Sequence, residues 1–210
     1  EVRRVRLTNR SRVARAICLT SYAEVVLAPP AADALHPAFS NLFVHTQVLA
    51  DRHAIVCNRR PRSLDEPVPW MFHLATPHGA NASDASFETD RMRFVGRGRT
   101  LASPAALDAG GALSGTEGDV LDPVAAIRHR MLVPAGETVT LDFVTGAAAT
   151  QEAVRAMVDK YQDRAMVDRV FELAWTHSQV VLRQLNATEA DSQLYARLAS
   201  SVIYANASLR

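Results

Sequence analysis

The chain has 210 residues, 48% of them apolar, with 23 basic and 22 acidic side chains and a formal charge of +1. This is enough for one large domain, or a domain with an appendage, around a real core. The even charge argues against a general polyanion binder, which needs a basic excess on one face, so no nucleic-acid partner is expected and any anion site must be local. No stretch approaches the ~20 apolar residues of a membrane span, no signal-peptide pattern is present, and no direct membrane contact is expected. Cys18 and Cys57 stand in no metal or redox spacing and read as free, buried thiols.

The first two thirds carry the two-residue period of strands. Val5 and Leu7 alternate with Arg4, Arg6 and Thr8. From Arg12 to Leu27, Val13, Ile17, Leu19, Val25 and Leu27 share one parity, and Arg12, Thr20, Tyr22 and Glu24 the other. One strand of that length needs a bend, expected near Ser21, and Pro29-Pro30 ends it. Strands over 41–49 and 53–59 form a hairpin around Asp51-Arg52. A loop covers 61–69, a strand 70–76, and a turn region 77–84. A loop rich in Gly, Ala and Ser covers 100–119. Strands over 123–133 and 138–145 flank Pro134-Ala135-Gly136-Glu137 and read as another hairpin. In its second arm Val139, Leu141 and Phe143 should face in, and Thr138, Thr140 and Asp142 out.

At Thr150 the period lengthens to about 3.6 residues. Thr150 suits an N-cap for a helix over 151–161. A long helix follows over 164–185, with Val167, Val170, Ala174, Val181 and Leu185 on one stripe and Trp175 as a packing residue. Thr188 and Asp191 resemble a capping box for a third helix, whose buried stripe should be Leu194, Leu198, Val202, Ala205 and Leu209. Strands first and helices after predict an α+β chain or two domains, with a β domain over 1–149 and helices over 150–210. The chain lacks an initiator Met, opens within a strand pattern and stops within a helical one. It reads as a piece of a longer protein.

The densest chemistry is FETDRMRFVGRGR, Phe87 to Arg99. A dinucleotide fingerprint would need a third Gly at the position of Leu101, and a Walker loop needs Gly-Lys, so neither fits. Nearby carboxylates offset its arginines, and aromatic residues are only 6% of the chain, so nucleic-acid stacking platforms are thin. Glu88 and Asp90 sit two residues apart on a strand, ~7 Å, a separation that inverting glycosidases also use. A solvated acidic face paired with arginines is the plainer reading. Beyond them the strand either passes from rim to core or is reset by a bulge. Gly96 and Gly98 would then let Arg97 and Arg99 project from a loop, where guanidinium forks suit carboxylates, phosphates or sugar hydroxyls.

The histidines form no zinc spacing, and no nucleophile elbow surrounds any Ser, Cys or Thr. Neither a metal nor a cofactor is expected. Trp70, beside Pro67, Pro69 and Phe72, reads either as a sugar-stacking platform or as a core tryptophan.

Three runs together are more specific than any one motif: LTSYAEVVLAPPAADALHPAFSNLFV (Leu19–Val44), FETDRMRFVGRGR and DRVFELAWTHSQVVLRQL (Asp168–Leu185). They resemble the phosphorylase-like region of cyclic β-1,2-glucan synthases, in glycoside hydrolase family 94, alongside cellobiose and chitobiose phosphorylases. The resemblance covers nearly the whole chain. It implies a mainly β fold, a galactose-mutarotase-like β-sandwich here truncated at its N-terminus, followed by an α-helical linker leading to an α/α barrel. In the family the catalytic aspartate and most phosphate-binding residues lie in that barrel. The resemblance therefore implies no catalytic residue in this chain. It implies a supporting role, with β-1,2-glucan, the remaining domains and a second copy as partners. Arg97, Arg99 and Trp70 are the candidate substrate contacts. The parent would be anchored in the bacterial inner membrane with these parts on the cytoplasmic side. An independent carbohydrate-binding module and a purely structural dimerisation domain are the alternatives.

Overall fold

The structure, a computed structural model, describes residues 1–61, 63, 66, 68–79, 84–108 and 110–203. Strands β1 (Val2–Thr8), β2 (Arg15–Thr20) and β3 (Ala23–Glu24) precede two short helices, α1 (Pro30–Leu35) and α2 (Pro37–Asn41). Then come β4 (Val44–Leu49), β5 (Ala54–Arg59), β6 (Trp70–His78), β7 (Asp84–Asp90), α3 (Arg91–Val95), β8 (Gly118–Asp119), β9 (Pro123–Val133) and β10 (Thr138–Ala148). Helices α4 (Gln151–Tyr161), α5 (Arg164–Gln184) and α6 (Glu189–Ile203) follow. Two compact units divide the chain, Glu1–Arg164 and Ala165–Arg210.

The first unit is a sandwich of antiparallel sheets. A six-stranded sheet runs β1-β10-β6-β5-β4-β8, and in a four-stranded sheet β9 pairs with β2, β3 and β7. Between the sheets, Val44, Ile55, Cys57 and Ala75 meet Val25, Phe87, Ala125 and Ile127 in one buried cluster. A second cluster joins Met131 and Val133 to Val139 and Leu141. Both outer faces are also covered. Val154 and Val158 of α4 are fully buried with Leu49, Val56, Phe72, Leu74 and Val144 of the six-stranded sheet. Phe94 and Val95 of α3 pack with Leu113 of the 100–119 loop and Ala126 of the other sheet. That double cover buries β9 along most of its length, including Arg128 at 2% exposure. The Arg128 guanidinium donates to Thr20 Oγ1, Gly111 O and Ala106 O at 2.9, 2.6 and 2.7 Å, tying the 100–119 loop to the sheet.

Several expectations hold. The long run breaks at Ser21–Tyr22, where Ser21 N donates to Ile127 O at 2.9 Å. The hairpin around Asp51-Arg52 forms as β4 and β5, with His53 closing it in the left-handed region at φ 49°. Thr150 Oγ1 caps α4, accepting from Ala153 N at 3.1 Å. Thr188 and Asp191 close the expected box, by Thr188 N to Asp191 Oδ2 at 2.8 Å and Asp191 N to Thr188 Oγ1 at 3.3 Å.

Others are corrected. The strand expected from residue 41 begins at Val44, because Pro30 and Pro37 open helices α1 and α2 and Asn41 ends the second; proline at a first helical position removes only an amide that would be unpaired anyway. β9 and β10 are not a hairpin. Their connection over 134–137 passes from one sheet to the other, so they pair with different neighbours. Thr140 and Asp142 are buried rather than outward, at 6% and 0% exposure. On Asp142, Arg4 donates from Nε and Nη2 at 2.6 and 2.8 Å, and His78 Nε2 lies 3.0 Å away. A charge can be buried there because β1 brings a cation into register beside it, Arg4 opposite Asp142. Cys57 is buried, and burial pushes its thiol up to about 12, but Cys18 is exposed. The expected turn over 77–84 lies partly outside the described residues, since β6 runs to His78 and β7 resumes at Asp84.

In the second unit Val167 is buried, whereas Trp175, expected to pack, is 68% exposed. Leu194, Leu198 and Val202, expected to be buried, are exposed; Ala205 and Leu209 lie outside the described residues. Among the described residues no helix is long and apolar enough to cross a membrane.

Candidate functional site

The FETDRMRFVGRGR stretch resolves into three parts with separate tasks. β7 ends at Asp90, after a register shift between Glu88 and Asp90. Helix α3 then begins at Arg91, so Met92 and Phe94 do not continue a strand face. Asp90 is the N-cap, its carboxylate accepting from Met92 N at 2.8 Å. Glu88 is 2% exposed, not a solvated surface acid. Its Oε1 accepts from Thr89 N and Asp90 N at 3.0 and 2.9 Å, and Oε2 accepts from Ser114 Oγ. Glu88 is thus buried in holding the end of β7 and Ser114, and Asp90, partly exposed, is engaged in capping α3.

The Gly-Arg end forms the loop after α3. Gly96 closes that helix at φ 87°, and a Cβ there would lie 2.7 Å from the Cβ of Ala105, so only glycine fits. Arg97 is exposed. Arg99 is exposed too, and its Nη1 lies 2.6 Å from Asp108 Oδ2, so one guanidinium is committed to the loop's own acid.

Trp70 belongs to a different surface, the outer face of the six-stranded sheet. The register builds that face in rows. Leu74 pairs with Val144 and Ala54, and Ala54 with Leu49, giving an apolar row that α4 covers. Two residues along, Phe72 lies between Gly146 and Val56, with Gln47 beyond Val56. Two further along, Trp70 lies between Ala148 and Asn58, then His45, then Asp119. Side chains two apart on a strand share a face, so the face passes from oily to amphipathic towards the start of α4.

At that end a cavity of about 370 Å³ opens, lined chiefly by His45, Gln47, Asn58, Trp70, Glu117 and Gln151. Trp70 is half-buried and packs against the cluster under α4. Three of its polar neighbours are held. Glu117 Oε2 accepts from Val48 N at 2.7 Å, Gln47 Oε1 from Arg155 Nη2 at 3.1 Å, and His45 Nδ1 stands 3.2 Å from Asp119 Oδ1. Among the described residues the side-chain amides of Asn58 and Gln151 make no hydrogen bond. No Lys or Arg lines the cavity, and Arg97 and Arg99 are not part of it. The structure therefore does not bring the three candidate contacts into one site.

Residue chemistry alone singled out Trp70 but not Asn58, His45 or Gln151. The polar parity of His45 and Gln47 against Val44 and Val48 was a visible signal. That Asn58 lies beside Trp70 depends on strand pairing. Elsewhere, the described residues contain no group of three His, Cys, Asp or Glu placed to hold a metal ion.

This geometry, two antiparallel sheets with helices after them, agrees with the comparisons. Residues 1–164 match the supersandwich domain of glycosyl hydrolase family 94, and the chain belongs to that family. Over its 210 residues it is 39% identical to the cyclic beta-(1,2)-glucan synthase NdvB of Rhizobium meliloti (strain 1021). It spans 7% of that relative's length.

Proposed function

We propose that this chain is the non-catalytic sandwich-and-linker part of a cyclic β-1,2-glucan synthase, a support that holds and orients a separate catalytic domain and contacts glucan. Its partners on this reading are the other domains of a longer polypeptide and the glucan itself, at the cytoplasmic side of a bacterial inner membrane. The observation that carries the reading is the fate of Glu88 and Asp90. The acids of its densest motif hold backbone amides, one of them at 2% exposure. General acid or base work needs a carboxyl within reach of the substrate's proton; Glu88 is buried, and Asp90 is engaged as the cap of α3. The match to a sandwich domain over residues 1–164 supports the same conclusion.

The test is to incubate the chain with linear β-1,2-gluco-oligosaccharides, with and without inorganic phosphate. Neither glucose 1-phosphate nor shortened glucan should form. Deleting the corresponding segment from a full-length synthase should abolish its glucan processing. Turnover by this chain alone would overturn the reading.

A further inference from the structure

We propose that the cavity beside Trp70 is a saccharide subsite, in which a glucosyl ring of a β-linked glucan stacks on the indole while Asn58 and Gln151 read its hydroxyls. The choice of β-1,2-glucan as ligand rests on the function proposed above. The subsite itself rests on the cavity.

Four features select a neutral polyhydroxylated ligand. Trp70 is buried on one side by the cluster under α4 and still lines the cavity, the disposition of an aromatic that offers a face to a partner. No Lys or Arg lines the space, and one carboxylate does, which disfavours phosphates and other anions. Asn58 and Gln151 have unspent amides, each able to donate and accept, as neighbouring hydroxyls require. The volume, about 370 Å³, lies at the small end of ligand pockets and suits a short saccharide segment.

The site is also preorganised. Trp70, Asn58 and His45 stand in one cross-strand row on β6, β5 and β4, so the row is ~10 Å long at two inter-strand spacings. Their spacing is set by backbone hydrogen bonds rather than by a loop. Glu117 is fixed by Val48 N and Gln47 by Arg155, so the walls need little ordering when a ligand enters.

Tryptophan fluorescence tests this. Trp175 is exposed on α5, and a Trp175→Phe background leaves Trp70 as the reporter. Linear β-1,2-gluco-oligosaccharides should change its emission saturably. Trp70→Ala, followed by calorimetry, should abolish binding. Asn58→Ala and Gln151→Ala should each weaken binding by about fivefold or more, the loss of roughly one hydrogen bond. Arg97→Ala should leave affinity unchanged. Equal affinity for cellobiose would uphold the subsite and overturn only the ligand chosen from the proposed function. Absence of saturable binding to the folded chain would overturn the subsite. Binding that survives Asn58→Ala and Gln151→Ala, or is lost with Arg97→Ala, would overturn it too. These last outcomes leave the supporting role standing, because that role is judged by turnover.

Discussion

In the sandwich unit most apolar faces are covered; in the helical unit several stay open. Leu74, Leu141, Val154 and Val158 are at 0% exposure, while Leu185, Leu194, Leu198 and Val202 are at 65, 48, 57 and 85%. Both sets follow regular apolar patterns. A pattern decides which residues share a face, but burial also requires a surface opposite that face. Each sheet of the sandwich supplies one for the other, and α3 and α4 supply two more. The apolar stripe of α6 and Trp175 of α5 remain in solvent.

This contrast can be broken most severely at Asp142. Its carboxylate is fully buried between Arg4 and His78. Asp142→Ala should cost about 3–5 kcal/mol in urea unfolding, because it strands a buried cation. A loss below ~1 kcal/mol would mean that water already reaches the cluster.

Acid should act next. His73 and His129 lie at 5% and 0% exposure, and burial holds both down at about 4. Arg3 adds to the first shift and His53 to the second, whereas the Ala75 carbonyl opposes the second. The unfolded chain takes up these protons near 6.5 and the folded chain only near 4. The unfolded state therefore binds more protons between those values, and stability falls as pH drops from about 6.5 to 4. Each histidine contributes on the order of 3 kcal/mol across that window. His73 Nε2 and Nδ1 stand 2.8 and 2.9 Å from the hydroxyls of Ser21 and Thr145, so its protonation disturbs a link between sheets. Thermal melts of the wild type and His129→Gln should diverge in that range. Parallel curves would contradict the assignment.

A smaller effect is expected at Gly146. An added Cβ would lie 2.6 Å from Phe72 Cε1, and that ring is itself 1% exposed. Gly146→Ala should cost about 1–3 kcal/mol by overpacking. The smallest change should come from the helical unit, where Trp175→Ala should stay within about 0.5 kcal/mol, as at an open surface. A large loss there would show that the indole is covered in solution.

Alternation in Val5–Leu7 and Val139–Leu141, the capping residues Thr150, Thr188 and Asp191, and the Pro29-Pro30 pair act within a few residues. Most strands and the starts of α4 and α6 were therefore readable from local order, whereas α1, α2 and α3 were not. The family resemblance was readable too, because it rests on long contiguous runs. Trp70 stood out for its chemistry alone. Three matters depended on residues far apart in the chain. Whether β9 and β10 pair depended on which sheet each joined, since a tight turn permits both outcomes. Whether Asp142 faced water depended on Arg4, 138 residues away. Whether Trp70 gained polar neighbours depended on the register of β4, β5 and β6, which put Asn58 and His45 in its row. Periodicity describes one strand at a time, and a site on a sheet is made across strands. For that reason the sequence by itself determined most strands, the capped helix starts and the family, and only the tertiary structure decided which residues share the cavity beside Trp70.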